Sequence, residues 1–537
     1  MKNKYKTLLL GINSKYIHPN LAIRLLKANT EYETDIKEFI IKDDLNLIYN
    51  YIIDNNYQVL AISCYIWNIE IIKKLLNMLK DKQLIIILGG PEVSYNARYY
   101  LDNKLCNYVI KNEGEETFDL LLGYLNKKSN DLSLIPNLYY DNKFTFDKLV
   151  DLSKSKMAYD LLDDLNNKIV YIETSRGCPY HCAYCMASLD NKVRFFDIEE
   201  IKRQLLLLNE RGARVIKFLD RTFNANKKNF ISLIDFIILN HKEGQSYQFE
   251  ITGDILDPDI IDYINLKAPK NLFRFEIGIQ STNINSNLAV NRIQNNDKLF
   301  NNIIKIQDAN IIDLHLDLIA GLPYEDYNSF KNTFNDVIKL KPKELQLGFL
   351  KLLYGTTLFK EAIKYNYIWN QTAPYEIIKN DFLSEDDIKN VHIAEEGLEH
   401  LYNSSFMQNT LKYLVDIVDN PYDLFYDLGS IYKKEYKLEN LFKLVNNYFK
   451  TFENYNEIHK LLIIDYLNYF NLKPHAWWDE KLDKKERNNA LRYLKENNNI
   501  DISINDLYKY SLLVSLEKAF ILAVYMPNFK QILILEK

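Results

Sequence analysis

Short apolar runs alternate with amphipathic helical stretches in two successive series, and nothing else in the chain restricts its fold so strongly. From Lys6 to about Leu125 the runs are KTLLLGI, DIKEFII, VLAISCYI, QLIIILGG and NYVIKNEG. Parallel strands need crossover connections and are buried on both faces, so they read as nearly continuous apolar segments. Residues 1–130 are therefore expected to form a doubly wound, Rossmann-like α/β domain. A second series begins at Val170, with YIETSRG, ARVIKFLD, YQFEITGD, LFRFEIGIQS, LHLDLIAGLP and ELQLGFLKLLYGT as strands. Its about six β/α units over residues 169–365 suit a partial (β/α)6 barrel of the TIM type. The polar stretch 131–168 reads as a linker. Residues 366–537 have mainly helical periodicity and read as a helical C-terminal region.

With 537 residues the chain can bury several cores, and its net charge of −5 gives no broad electrostatic reason to expect a nucleic-acid partner. The N-terminal apolar run is too short for a signal peptide, and later apolar stretches are interrupted by charges. A cytoplasmic protein without a membrane segment is the expectation. Of five cysteines, three fall within eight residues, a pattern that suits a metal site in a reducing compartment better than a disulfide framework.

Those three are Cys178, Cys182 and Cys185, spaced C-x3-C-x2-C directly after an expected strand. Thiolates are the usual ligands of iron–sulfur clusters, and three of them leave one iron of a cubane open to another ligand. The alternative is a structural zinc site completed by His181, Cys64 or Cys106, although no second cysteine pair is present to build the usual knuckle.

The segment Ser175-Arg-Gly-Cys-Pro-Tyr-His-Cys-Ala-Tyr-Cys185, with Tyr184 before the last cysteine, resembles the cluster loop of the radical S-adenosylmethionine (SAM) superfamily. The resemblance implies a [4Fe–4S] cluster whose open iron chelates SAM. Reductive cleavage would then give methionine and a 5′-deoxyadenosyl radical, with an electron donor such as flavodoxin or ferredoxin. The series GIQS, NRIQ and DLIAGLP is similar to radical SAM proteins of the oxygen-independent coproporphyrinogen oxidase type. By that likeness Gln280, Arg292 and Asp317 lie around SAM, with Glu250 near its amino group and Glu276 on a neighbouring strand end. Carboxylates suit an ammonium or ribose hydroxyls, and a guanidinium or amide suits a carboxylate.

The element KFLDRTFN resembles the D-D-x-F element of cobalamin-dependent radical SAM proteins, with Arg221 in place of the second aspartate. Asp220, Arg221 and Asn224 are then candidates to face substrate or cofactor, and an internal ion pair is the alternative. A doubly wound domain ahead of the barrel is similar to the cobalamin-binding domain of that subfamily, found in anaerobic bacteria, and Glu113-Gly-Glu-Glu116 adds to the likeness. Asn13, Ser14, Ser63, Gly89 and Gly90 are the implied cobalamin contacts. The Asp-x-His-x-x-Gly signature is missing around His18, so a bound corrin is expected to lack a histidine ligand. His475-Ala-Trp-Trp478 either packs or lines a pocket. No residue is assigned to a chemical step, and no motif selects a substrate. Radical chemistry such as methyl transfer is the implied activity; the competing class is a non-catalytic iron–sulfur or zinc protein with a cobalamin- or redox-responsive role.

Overall fold

The computed structural model describes residues 5–161, 165–190, 192–479, 482–498 and 500–537; residues 162–164 of the expected linker lie outside them. The chain divides into two units, one of residues 1–326 and 348–384 and one of residues 327–347 and 385–537.

In the first unit, β1 (Thr7–Asn13), β2 (Asp35–Ile40), β3 (Val59–Ser63), β4 (Ile85–Gly89) and β5 (Tyr108–Ile110) are parallel, in the order β2-β1-β3-β4-β5. Successive residues of β1 point to opposite faces. Leu8, Leu10 and Ile12 pack with the helices Leu45–Asp54 and Ile69–Leu79, whereas Leu9 packs with Leu21–Asn29 and Glu115–Leu125. This two-sided cover is why β1 and β3 contain no exposed position. The stretch expected as a linker contributes β6 (Leu138–Tyr140) and β7 (Lys143–Phe144), which extend the same sheet antiparallel. The order reverses at β1, so the loops after β1 and β3 flank the crevice where such sheets bind ligands.

The second sheet starts at β8 (Ile169–Ile172). A two-stranded ribbon follows, β9 (Ser175–Arg176) antiparallel to β10 (Arg194–Phe195). Then come β11 (Val215–Phe218), β12 (Ser246–Ile251), β13 (Phe273–Gln280), β14 (Asp313–Ala320) and β15 (Glu344–Phe349), and the sheet order is β15-β14-β13-β12-β11-β8. On β12 and β13 burial alternates strictly, with Tyr247, Phe249, Phe273 and Phe275 on the buried face. Phe249 packs on Phe218 and Phe223 at ring separations of 4.6 and 4.4 Å. The other face carries Lys217, Gln248, Glu250, Arg274 and Glu276, a polar interior at the mouth of a barrel.

The second unit contains the helices Tyr327–Ile338, Glu385–Gly397, Gln408–Ile417, Pro421–Ile431, Leu438–Phe449, Tyr455–Tyr469, Lys484–Asn497 and Ile504–Tyr510. Trp477 and Trp478 are buried among Phe442, Tyr466 and His459, so the tryptophan pair serves packing. The helical expectation misses a terminal antiparallel meander, Ser511–Ser515, Ala519–Met526 and Phe529–Glu536. Its second turn is Pro527-Asn528, with Asn528 at a φ of 60°. No helix among the described residues is long and apolar enough to cross a membrane.

Candidate functional site

The three clustered thiols follow β9 in a loop that the rest of the first unit holds from several sides. Gly177 has a φ of +89°, and a Cβ there would lie 2.6 Å from the Lys192 carbonyl oxygen, so only glycine lets the loop turn under its own return strand. The Cys178 amide donates to the Asp190 carbonyl (3.0 Å) and the Ala183 amide to that of Val290 (2.8 Å). Ala183 in turn accepts from the Leu358 amide (2.8 Å). Cys178 and Cys182 are buried, and Cys185 is partly exposed.

Two neighbours approach the sulfurs. Thr222 Oγ1 lies 3.7 Å from Cys178 Sγ, and Arg292 Nη1 lies 3.9 Å from Cys182 Sγ and 3.4 Å from the Tyr184 hydroxyl. Burial raises the Tyr184 phenol well above its ordinary value, with the Arg292 charge opposing it and the Cys182 and Cys185 thiols adding to it. Among the described residues no three His, Cys, Asp or Glu side chains converge as ligands of a single ion. The donor set nonetheless suits a cubane, whose thiolates bind different irons and need not meet at a point.

Asp220, at the end of β11, fixes the strand that leads into the loop. Its carboxylate accepts from the Thr174 amide (2.9 Å), the Thr174 hydroxyl (2.6 Å) and the Ser175 hydroxyl (2.5 Å). Burial pushes the Asp220 carboxyl up to about 6; these donors oppose the rise and the charge of Glu173 adds to it. Because the folded value exceeds the ordinary 3.8, this group favours folding most below about pH 4, and that contribution fades as pH climbs to about 6. The difference amounts to about 3 kcal/mol. Asp220→Asn is expected to flatten the pH dependence of unfolding free energy across that interval, as followed by urea denaturation; an unchanged slope would contradict the assignment.

Asn224 also turns inward, exchanging hydrogen bonds with the Thr252 backbone (2.9 and 3.0 Å). Arg221 instead reaches Glu250 (3.0 and 3.3 Å) and stays half exposed, so the ion pair weighed from the sequence forms with Glu250 and not with Asp220. The Glu250 carboxyl is raised by burial, lowered by Arg221 and raised again by Glu276 and Asp317. Lys217 pairs with Glu276 (2.9 Å) and His315 with Asp317 (3.0 Å). Sequence reasoning did not single out Lys217, Thr222 or His315 for this layer, because only the fold shows what each one meets: Glu276 on β13, Cys178 in the cluster loop and Asp317 two residues along β14.

Gln280 ends β13 in the left-handed region, with φ +67°, where the register slips past Gly278. Its Oε1 is buried and has no hydrogen-bond partner among the described residues. Arg292 donates to the Gly278 carbonyl and, through Nε, to Gln294 Oε1 (3.0 Å). Arg292, Tyr184 and Cys182 therefore meet at one place. Glu250 on β12 and Asp317 on β14, with β13 between them, stand on the same face of the sheet.

An ion network joins this loop to the first sheet. Arg176 contacts Glu115 (2.6 Å), Glu173 (2.9 Å) and Glu113 (3.4 Å), while Arg194 contacts Asp190 (2.6 Å) and Glu113 (2.7 Å). Burial alone would raise Glu113, but the bond from Arg194 and the charge of Arg176 hold it below the usual carboxylate range.

At the crevice of the first sheet, Asn20 caps the helix Leu21–Asn29 and donates to Asn13 Oδ1 (3.3 Å) and Ser63 Oγ (3.0 Å). Asn13 also donates to Glu38 (2.9 Å), so Asn13 and Ser63 are knit into the crevice floor, with Ser14 partly exposed beside them. A Cβ on Gly90 would meet the Cys64 backbone, so Gly90 serves the chain's own close approach. A Cβ on Gly89 would meet nothing nearer than 3.9 Å, which leaves the end of β4 open. His18 Nδ1 and the Tyr171 hydroxyl, on β8, are 2.8 Å apart.

Family comparisons agree with this layout. Residues 7–122 match the B12 binding domain, 172–337 the radical SAM superfamily, and 363–531 a protein of unknown function, DUF4080. An uncharacterized methyltransferase of Pyrococcus horikoshii is 28% identical over 168 residues, covering 28% of this chain and 37% of that protein. The 2-(S-pantetheinyl)-carbapenam-3-carboxylate methyltransferase of Streptantibioticus cattleyicolor is 21% identical over 446 residues, covering 71% and 64%. The chain thus spans less than two thirds of either relative. The solved structure of the cobalamin-dependent S-adenosylmethionine radical enzyme OxsB with aqua-cobalamin shares the fold, at a TM-score of 0.62 and 14% identity, covering 87% of this chain and 81% of that one. The chain carries a B12-binding domain ahead of a radical SAM domain.

Proposed function

We propose that this chain is a cobalamin-dependent radical SAM enzyme that transfers a methyl group or carries out another radical modification of its substrate. The observation that carries the reading is the contact of the three-thiol loop with partly buried Arg292, beside which Gln280 holds an Oε1 with no hydrogen-bond partner among the described residues. Cys178, Cys182 and Cys185 would hold a [4Fe–4S] cluster, and Tyr184, Glu250, Gln280, Arg292 and Asp317 would hold SAM. The open end of β4 at Gly89 and the crevice lined by Asn13, Ser14 and Ser63 would receive cobalamin. When bound, these groups supply a one-electron reductant, a 5′-deoxyadenosyl radical and a methyl carrier.

The protein's own residues bind and orient. Arg292 offers a charge-assisted donor pair to a carboxylate, and Gln280 Oε1 accepts from a hydroxyl or amine. Glu250, which Arg221 contacts, suits an ammonium through its carboxylate. The Asp-x-His-x-x-Gly signature is missing around His18, whose contact with Tyr171 occupies only Nδ1, and on the ground of the missing signature a corrin in the crevice would lack a histidine ligand. The five free thiols support a reducing, cytoplasmic setting, with a flavodoxin or ferredoxin as electron donor under anaerobic conditions.

The test is anaerobic reconstitution with iron and sulfide, followed by dithionite and SAM. Release of 5′-deoxyadenosine and methionine is expected. An intact four-iron cluster that releases neither would leave a non-catalytic iron–sulfur protein instead. For cobalamin, the expected result is a retained corrin with the spectrum of the base-off form, and a corrin-free protein that still turns over would defeat that part.

A further inference from the structure

The ion network between the two sheets of the first unit performs a task that neither cofactor site accounts for. Glu113 and Glu115 follow β5, in the upstream domain, whereas Arg176 lies two residues before Cys178 on β9, and Arg194 faces Arg176 across the ribbon in β10. Side-chain exposure is only 12% for Arg176, 13% for Arg194, 13% for Glu113 and 7% for Glu115. Charges this deep are tolerated only when paired, and a partner removed leaves an uncompensated charge behind. The pairing is dense: Glu113 takes two contacts from Arg194 (2.7 and 3.1 Å) and one from the Val150 amide (2.7 Å). Arg194 also donates to the Val150 carbonyl (2.9 Å) and to Asp190, whose own carbonyl accepts from the Cys178 amide (3.0 Å). The chain of contacts therefore runs from Glu113 through Arg194 and Asp190 to the backbone of a cluster ligand. A second branch runs from Glu115 through Arg176 to Gly177 and Cys178.

We propose that Glu113 and Glu115 of the upstream domain are positioning residues for the cluster loop, acting through Arg194 and Arg176. This inference rests on the proposed iron–sulfur reading of that loop. Outer partners of metal ligands orient the ligands, and losing one weakens retention of the metal even though no ligand has changed. The upstream domain would then complete the cluster site as well as offering a site for cobalamin.

The test uses the full chain, reconstituted anaerobically, with release of iron to a ferrous chelator and the electron paramagnetic resonance spectrum of the reduced cluster as readouts. Glu113→Gln is expected to lose iron about tenfold faster than wild type and to shift the spectrum. Glu38→Gln breaks another ion pair of the same domain, Arg24 with Glu38 (2.5 Å), outside the clasp, and is expected to release iron at the wild-type rate. If Glu113→Gln does not fold, Glu115→Gln, which weakens only the Arg176 branch, bears the same expectation. Equal release from wild type and the clasp variant, or equal acceleration by Glu38→Gln, would overturn the clasp alone. A wild-type chain that assembles no four-iron cluster would overturn the functional reading beneath it.

Discussion

Cys182→Ala is expected to abolish the visible absorbance of the four-iron cluster, bring iron content to background and eliminate 5′-deoxyadenosine formation. Cys182 is buried, its sulfur is the one beside Arg292, and its backbone carbonyl accepts from the Cys185 amide (3.0 Å), so it sits at the centre of the loop. Alanine fits the same backbone and removes little apolar surface, so the lost function reflects the missing ligand and not a collapsed fold. Two thiolates would then have to hold a cubane that needs three. Cys106→Ser supplies the control, because Cys106 packs at the edge of the upstream core and burial holds its thiol protonated, at about 12. That variant should keep full iron and full cleavage. Cys182→Ala retaining wild-type iron would refute the ligand assignment.

How far such a site can be read from sequence depends on the range of the interaction. The parallel strands were legible because two-sided burial leaves continuous apolar runs, as in Leu8–Leu10 and Ile85–Leu88. The cluster ligands were legible because one loop carries all three. By contrast, β6 and β7 are only three and two residues long within a polar stretch, and they join the first sheet only because β5 offers them an edge; as sequence, they look like linker. The terminal meander was hidden because Leu512–Met526 reads as one apolar stretch, and the turn that splits it contains Glu517 and Lys518 without Gly or Pro. Arg176 with Glu115, Arg194 with Glu113, and Lys217 with Glu276 illustrate the remaining gap. Each residue alone is an ordinary charged side chain, and its meaning comes from a partner on another strand or in another domain.

Arg292→Met separates binding of SAM from assembly of the cluster. The guanidinium touches the Tyr184 hydroxyl and the Cys182 sulfur through Nη1, the Gly278 carbonyl through Nη2 and Gln294 through Nε, so its plane is fixed before any ligand arrives. A donor held in place this way costs little further ordering when it meets a carboxylate. Methionine preserves length and apolar bulk but offers no N–H. Loss of a partly buried, charge-assisted partner costs about 3 kcal/mol, equivalent to about a hundredfold weaker SAM binding at equilibrium. Iron content should stay at the wild-type level, since all three cysteines remain. The Gly278 carbonyl loses a donor, a penalty of about 1–3 kcal/mol in stability, so binding must be measured below the onset of unfolding. Arg292→Lys restores charge without the planar fork and should recover only part of the affinity. SAM binding of wild-type strength in Arg292→Met would remove this residue from the cofactor site and return the partly buried guanidinium to a purely structural role beside the loop.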